Sequence, residues 1–166
     1  LDLEPQDQLG GKNMWTSVND YKQFANTFYS WTRDFSSVVY DGTHSDKRSD
    51  LITYQSYNEF SRGINSIPSS DANYTDNYKH IRRTNLLLQN AEAYAKPEDI
   101  KQYIGEAYFF RAYSYFDLLQ LYGDVIITKK PLDITDPEMK VKRNDRSEVV
   151  DLIIDDLNHA VENLPA

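Results

Sequence analysis

Residues 97–122 constrain the fold of this chain more than any other segment. Pro97 suits the first position of a helix, and Glu98 and Asp99 complement the dipole of its first turn. Gly123 is a typical helix terminator. Between these signals, apolar side chains occupy most of the helical circumference, which predicts a helix that is enclosed by its neighbours. A helix of these 26 residues would be about 39 Å long, so we expect it to form the centre of an all-α domain.

One side of this central segment carries Phe109, Ala112 and Phe116. Because we expect neighbouring elements to enclose the helix, we expect all three side chains to be buried. Truncation of a buried phenylalanine to alanine costs about 3–5 kcal/mol of stability. The substitution Phe116→Ala is therefore expected to be strongly destabilising.

Three further segments show the spacing of a helical face. They are residues 15–31, 74–94 and 148–163. Thr16 or Ser17 could cap the first of these helices, and Asp145 with Glu148 has the form of a capping box at the start of the last. The sequence thus predicts four helices.

Small residues in the central segment indicate how these helices pair. Gly105, Ala107 and Ala112 are interspersed with tyrosines. Helix pairs of the tetratricopeptide type approach one another closely through small residues. Although an exact repeat is not readable, we expect tetratricopeptide-like helix hairpins with long irregular loops.

Residues 38–73 have no helical period and are rich in turn-forming residues. Long irregular stretches are usually functional or disordered, and the aromatic content of this one favours a structured binding loop. Polymeric sugars present apolar C–H faces and hydroxyl edges, which suit exposed rings beside amide or guanidinium groups. Tyr54, Tyr57, Asn58 and Arg62 are therefore candidate ligand-binding residues. The alternative is that these rings only pin the loop to the helices.

The sequence carries no pattern typical of a catalytic, metal or cofactor site. It has no cysteine, and His44, His80 and His159 lack a second ligand at helical spacing. The carboxylate pair Asp155–Asp156 lies on an amphipathic helix with one member outside, so a solvated face explains it, and no phosphate-binding loop is present. The net charge of −8 disfavours nucleic acid, and no stretch approaches the roughly 20 apolar residues of a membrane span. We therefore expect no enzymatic activity, no metal and no cofactor.

Two segments in the middle of the chain resemble the SusD/RagB family. They read YKHIRRTN at residues 78–85 and GEAYFFRAYSYFDLLQLYGDV at residues 105–125. Residues 155–165 are similar to the next helix of that family, and residues 1–5 look like the segment that follows its lipidated cysteine. The resemblance spans nearly the whole chain in the right order.

This resemblance implies both a fold and a function. Members are lipoproteins on the extracellular face of the Gram-negative outer membrane, and they are not enzymes. They bind glycans or other polymeric nutrients and cap a SusC-like TonB-dependent transporter. Their helices form a tetratricopeptide-like scaffold under irregular ligand-binding loops. Members are much longer than this chain, so residues 1–166 are expected to be the N-terminal portion of such a protein, with its lipid anchor outside the sequence.

The resemblance assigns structural rather than binding roles to the matching polar residues. Asn85 lies on an otherwise apolar helix stripe, where a buried amide is expected to bind helix ends or loop carbonyls. Glu106 and Arg111 also match the family pattern, and packing and helix tethering are the roles expected of them. Ile126 stands where the family usually has proline, which affects a turn. The binding loops vary between members, so no individual ligand contact carries over.

The sequence is also compatible with a second function. Tetratricopeptide-type scaffolds bind protein partners through the concave faces of their helices, without any glycan. Sugar binding instead needs exposed flat rings with hydrogen-bonding neighbours. The rings of Tyr54 and Tyr57, near Asn58 and Arg62, favour glycan binding.

Overall fold

Four α-helices build the part of the chain that the computed structural model describes, which is residues 14–33, 66–132 and 135–165 without the side chain of Met139. In chain order they are α1 (Val18–Asn26), α2 (Ala72–Glu92), α3 (Lys101–Tyr122) and α4 (Arg146–Asn163). Short 3-10 helices are Thr27–Trp31, Pro97–Ile100 and Pro137–Lys140. These described ranges hold no β-strand, only an isolated antiparallel bridge between Val125 and Asn144. The all-α prediction is confirmed.

The start of α1 is set by local backbone chemistry. The helix begins at Val18 rather than at the expected Trp15, because Trp15 has a φ of 83°, which a right-handed helix does not accommodate. Ser17 is the N-cap. The Asp20 carboxylate accepts the N–H of Ser17 at 2.8 Å and that of Thr16 at 3.0 Å. These bonds, with the Ser17 N–H contributing most, hold the pKa of Asp20 below its ordinary value.

The end of α3 and the start of α4 follow the expected signals. The N–H of Gly123 donates to the carbonyl of Leu119 at 3.0 Å, and its φ of 72° suits glycine. A Cβ at this position would lie 3.0 Å from a guanidinium nitrogen of Arg146. At the start of α4, the Glu148 carboxylate accepts the N–H of Asp145 at 3.0 Å, as in a capping box.

α3 is the central helix, since it packs against α2 on one side and against α4 on another. The main apolar core lies where these three helices meet the segment that follows α3. Its buried members are Ile81, Ala112, Tyr115, Leu118, Val125, Val149, Leu152 and Ile153. The position of residues 97–122 at the centre of the domain is thus as the sequence predicts.

A small residue allows α3 and α4 to approach each other closely. A Cβ on Gly105 would lie 3.0 Å from Cγ of Leu164 and 3.1 Å from Cβ of Asn163. Because Gly105 is near the start of α3 and Asn163 ends α4, the two helices form an antiparallel hairpin. Any larger residue at position 105 would have to push the end of α4 away.

Aromatic side chains attach α1 to the other helices. Tyr21 and Phe28 are fully buried. The ring of Phe28 meets Phe110 of α3 edge-on with centroids 5.7 Å apart, and the ring of Tyr21 meets Tyr94 at 5.1 Å. The Tyr21 hydroxyl also donates to the carbonyl of Asn90 at 3.0 Å. These edge-to-face pairs contribute packing beyond simple burial.

The expected enclosure of α3 is wrong for two of its rings. Ala112 is buried, but Phe109 is 40% exposed and Phe116 is 47% exposed. The reason is that α2, α4 and the segment around Phe28 pack on other parts of the α3 surface and leave these two rings only partly covered. None of the described helices is long and apolar enough to cross a membrane.

Phe110 and Phe116 provide a matched test of this arrangement. In the 166-residue chain, Phe110→Ala should lower the free energy of unfolding by about 3–5 kcal/mol, because it empties a site that is 1% exposed. Phe116→Ala should lower it by less than about 1 kcal/mol, since half of the ring is already in water. Urea denaturation measures both changes, provided that the m-value is the same in the variants and in the unsubstituted chain. Equal losses would contradict the described packing.

Candidate functional site

The predicted ligand-binding residues lie outside the described part of the chain. Tyr54, Tyr57, Asn58 and Arg62 fall in residues 34–65, so their role stays a prediction. The structure does describe the three residues expected to be structural, Asn85, Glu106 and Arg111. All three are buried.

Arg111 of α3 is the centre of a buried polar network that joins three helices. Its Nε and Nη2 atoms donate to the two carboxylate oxygens of Asp156 of α4 at 2.8 and 2.6 Å. Its Nη1 donates to Oδ1 of Asn85 of α2 at 2.8 Å. Arg111 is 4% exposed, and Asp156 and Asn85 are not exposed at all. This two-pronged geometry matches the shape of a carboxylate and cannot be reproduced by lysine.

Asn85 links this network to the segment that follows α3. Its Nδ2 donates to the carbonyls of Thr128 at 3.0 Å and Lys130 at 3.2 Å. The Asn85 amide therefore uses its oxygen for Arg111 and its nitrogen for loop carbonyls. These contacts are all within the protein and occupy both the oxygen and the nitrogen of the Asn85 amide, so the amide is not available to a ligand.

Two tyrosine hydroxyls hold the same segment by pairing with its backbone. The Tyr115 hydroxyl accepts the N–H of Thr128 at 2.8 Å and donates to the carbonyl of the same residue at 3.2 Å. The Tyr78 hydroxyl does the same for Ile126, with both distances 2.9 Å. Because these backbone groups have no regular helix or sheet partner, the side chains take the place of secondary structure.

The electrostatics of the network favour a permanent ion pair. Burial alone would lower the pKa of Arg111, but the hydrogen bonds and charge of Asp156 outweigh it, and the pKa lies above its ordinary value. The guanidinium also lies over the ring of Tyr108, 5.2 Å from its centroid.

The Asp155–Asp156 pair has one member outside, as the sequence predicts. Asp155 is exposed, with 57% of its side chain accessible, but Asp156 is fully buried. The signal was present in the sequence: Val149, Ile153, Asp156 and Ala160 share one face of α4 at spacings of three and four. A carboxylate on such a stripe needs a buried cation, and Arg111 is that cation.

Glu106 is buried on a different side of α3 from the Arg111 network. Its Oε1 accepts a hydrogen bond from Nε2 of Gln102 one turn earlier, at 2.9 Å. Burial raises the pKa of the neighbouring Tyr29, and the charge and hydrogen bonding of Glu106 raise it further. These contacts tie Glu106 to its own helix and to the ring that follows α1.

An open groove of about 430 Å³ lies along the outside of α4. Its lining residues are Ile127, Lys129, Glu148, Asp151, Leu152 and Asp155. None of the six is aromatic, and three carboxylates face a single ammonium group. The groove therefore lacks the flat rings that a sugar face requires. In the described ranges no cluster of three or more His, Cys, Asp or Glu residues is placed to hold a metal ion.

Comparison with known proteins identifies the family. The profile of the SusD-like family described as "Starch-binding associating with outer membrane" matches residues 1–166. The chain belongs to the SusD-like family. This SusD-like chain is 36% identical to the SusD-like protein P38 of Formosa agariphila over 104 residues, which are 60% of this chain and 20% of that protein.

A solved structure supports the same fold. The crystal structure of a SusD-like protein from Bacteroides fragilis NCTC 9343 matches with a TM-score of 0.74 and 25% identity. The match covers 98% of this chain and 32% of that one. The helices are thus the tetratricopeptide-like scaffold of a SusD-like protein, and the chain spans one third or less of the length of these two relatives.

Asp156 and its neighbour Asp155 test the network with adjacent substitutions. Asp156→Asn should lower the free energy of unfolding by about 3–5 kcal/mol, because it leaves the Arg111 charge buried without a counter-charge. Asp155→Asn should change it by less than about 0.5 kcal/mol, since the residue is exposed and its ion pairs are long. Chemical denaturation near neutral pH measures both values. Similar effects at the two positions would refute the role given to the network.

Buried tyrosines predict a loss of stability at alkaline pH. Burial is the main cause that raises the pKa of Tyr21 to about 12 and those of Tyr78 and Tyr115 well above the ordinary value. Unfolded tyrosine loses its proton near pH 10, so above that pH the unfolded state binds fewer protons. The contribution of these tyrosines to the free energy of unfolding should therefore be fully present below about pH 10. Above that pH the free energy of unfolding should fall by up to about 1.4 kcal/mol per pH unit for each such tyrosine.

The variant Tyr115→Phe checks the source of that slope. It removes one titrating group together with two hydrogen bonds, so it should be less stable at neutral pH but should lose stability less steeply above about pH 10. Thermal unfolding at a series of alkaline pH values measures the slope. An unchanged slope would show that Tyr115 does not contribute.

Proposed function

We propose that this SusD-like chain is part of a non-catalytic surface protein that binds a glycan or another polymeric nutrient. In this proposal the protein delivers its ligand to a SusC-like TonB-dependent transporter in the outer membrane. The observation that carries the proposal is the family match over the whole chain, whose description joins starch binding with the outer membrane. The structural match to a SusD-like protein supports it.

The buried polar groups in the described helices hold the helices together. This supports the view that these helices are a scaffold and that the ligand binds elsewhere in the protein. The groups of Arg111, Asp156 and Asn85 are engaged with one another and with loop carbonyls. The open groove along α4 has no ring in its lining. Neither feature offers the chemistry of a sugar site, which supports the recognition of ligand by ring-bearing loops.

Residues 38–73 supply that chemistry in the proposed function. Tyr54 and Tyr57 would stack on the C–H faces of a sugar chain, while Asn58 and Arg62 would bind its hydroxyl groups. The net charge of −8 favours an uncharged polymer over a polyanion, because like charges repel. Attachment to the outer membrane would come from a lipid on a cysteine that precedes residue 1.

Ring removal in the complete protein tests the binding residues. Tyr54→Ala and Tyr57→Ala should each weaken polysaccharide binding by at least about tenfold, which corresponds to about 1.4 kcal/mol. Tyr54→Phe and Tyr57→Phe keep the ring and should retain most of the affinity. Isothermal titration against a panel of neutral and anionic polysaccharides measures the affinity, and thermal unfolding is followed in parallel. If both alanine variants lower the melting temperature but leave affinity intact, the rings stabilise the fold and do not bind the polysaccharide.

The partnership with a transporter has its own test. The complete protein, purified from its own membranes in mild detergent, should retain a TonB-dependent transporter that mass spectrometry identifies. Recovery of other proteins, together with a lack of binding to every polysaccharide in the panel, would favour a protein-binding scaffold instead.

A further inference from the structure

The connection between α3 and α4 carries an exposed cationic segment, which we name the basic strip. Its four residues are Lys140, Val141, Lys142 and Arg143, and all of them are exposed. Even the apolar Val141 is 46% exposed. In the part of the chain that the structure describes, the side chains of the three cations form no hydrogen bond or ion pair. The strip is therefore a solvated cationic segment in a chain whose net charge is −8.

The backbone of the basic strip lies between a short helix and a fixed point. The 3-10 helix Pro137–Lys140 ends in the strip, and Val141 is extended, with φ −86° and ψ 162°. Among the residues described, no backbone hydrogen bond outside the helices involves Lys142 or Arg143. The fixed point is Asn144, whose N–H donates to the carbonyl of Val125 at 2.8 Å. The strip thus has little regular structure of its own to protect it.

The short helix before the strip is weakly held. Glu138 in this helix forms an ion pair with Lys130, with Oε1 and Nζ 2.6 Å apart, but both side chains are about half exposed. An exposed ion pair contributes at most about 1 kcal/mol, and a single 3-10 turn has poor hydrogen-bond geometry. Residues 137–143 can therefore open into an extended segment while α3 and α4 stay folded.

Exposure alone does not make a lysine accessible to a protease. Lys22, Lys79 and Lys101 are exposed as well, but they lie in α1, α2 and α3. In a helix the backbone N–H and C=O groups are bonded to one another, whereas an extended peptide offers these groups to a partner. Lys140 differs from the other three because its helix ends with it and an extended residue follows.

We propose that the basic strip is a cleavage site for proteases that cut after lysine or arginine, and that they cut the bond between Lys140 and Val141. An acidic pocket in such proteases receives the cation, and exposed loops are the preferred sites of nicking. The bonds after Lys142 and Arg143 are less suitable, since they lie next to the fixed Asn144. This proposal goes beyond the proposed function and does not depend on it.

The reaction is the hydrolysis of one peptide bond. The C–N bond between Lys140 and Val141 breaks, and the oxygen of one water molecule joins the carbonyl carbon of Lys140. The two hydrogens of that water leave Lys140 with a carboxyl group and Val141 with a free amine. No oxidant or further reactant is needed, because water balances the step.

The contacts across the strip should hold the cut chain together. The side-chain oxygen of Asn144 accepts the N–H of Ile127 at 2.9 Å, and the N–H of Arg146 donates to the Asp124 carboxylate at 3.0 Å. Further along α4, the buried polar network described above joins this helix to α3. All of these contacts connect residues after the strip with residues before it. A cut therefore separates α4 from α3 covalently but leaves the helices packed.

Limited proteolysis of the complete native protein with trypsin tests the site. Mass spectrometry of the products should find a fragment that begins at Val141. The bond after Lys140 should be cut at least about tenfold faster than the bond after Lys79, whose side chain is 69% exposed but lies in α2. In protein unfolded by urea, the two bonds should be cut at comparable rates. Similar native rates at the two bonds, or a bond after Lys140 that is cut only when the protein unfolds, would overturn the proposal.

The cut protein shows whether α4 stays in place. Size-exclusion chromatography without denaturant should elute both fragments together, at the volume of the uncut protein, while a denaturing gel separates them. As a control, Lys140→Gln removes the cation that the protease recognises, so the same treatment should leave this bond intact. Separate elution of the two fragments would overturn the conclusion that noncovalent contacts hold α4. Neither measurement uses a polysaccharide, so its outcome is independent of the proposed function.

Discussion

The ion pair between Arg111 and Asp156 is the interaction on which the rest of this scaffold depends. Two charges that are almost fully removed from water are tolerated only when each hydrogen-bonding group has a partner. That requirement fixes the register of α4 against α3 and, through Asn85, the register of α2 against both. A slip of one residue between α3 and α4 would leave a charge unpaired, and a slip of α2 would leave Nη1 of Arg111 without its Asn85 acceptor. Apolar packing alone would discriminate less sharply between neighbouring registers.

The same requirement explains how an irregular segment can be held without a sheet. The carbonyl of Thr128 receives hydrogen bonds from Asn85 and from the Tyr115 hydroxyl. Tyr78 pairs with both backbone groups of Ile126. This segment can depart from regular structure because rigid helices supply its partners. Ile126, which stands where the family usually has proline, uses its N–H in this arrangement, and proline would have no N–H to donate.

The sequence predicted those features that depend on local chemistry. The centre of the fold follows from the composition and end signals of residues 97–122, and the helix caps follow from Ser17 and Asp145. The sequence indicated that one carboxylate of the Asp155–Asp156 pair lies outside, but periodicity within one helix does not show that the other pairs with Arg111 of a different helix. The exposure of Phe109 and Phe116 was missed because composition shows that a helix suits an apolar environment but not which element supplies it. Ligand contacts such as those predicted for Tyr54 and Tyr57 depend on loop conformation, which periodicity does not encode.

The two faces of the α3–α4 hairpin differ in a way that suits a stacked scaffold. The face toward α2 is joined by directional polar contacts, which permit one arrangement and no sliding. The other side of the hairpin carries exposed apolar residues, which are Phe109, Phe116, Val150, Ile154, Leu157 and Val161. Apolar packing depends on shape and volume rather than on the direction of hydrogen bonds. The arrangement of α2, α3 and α4 is therefore set by the polar network and not by apolar packing alone.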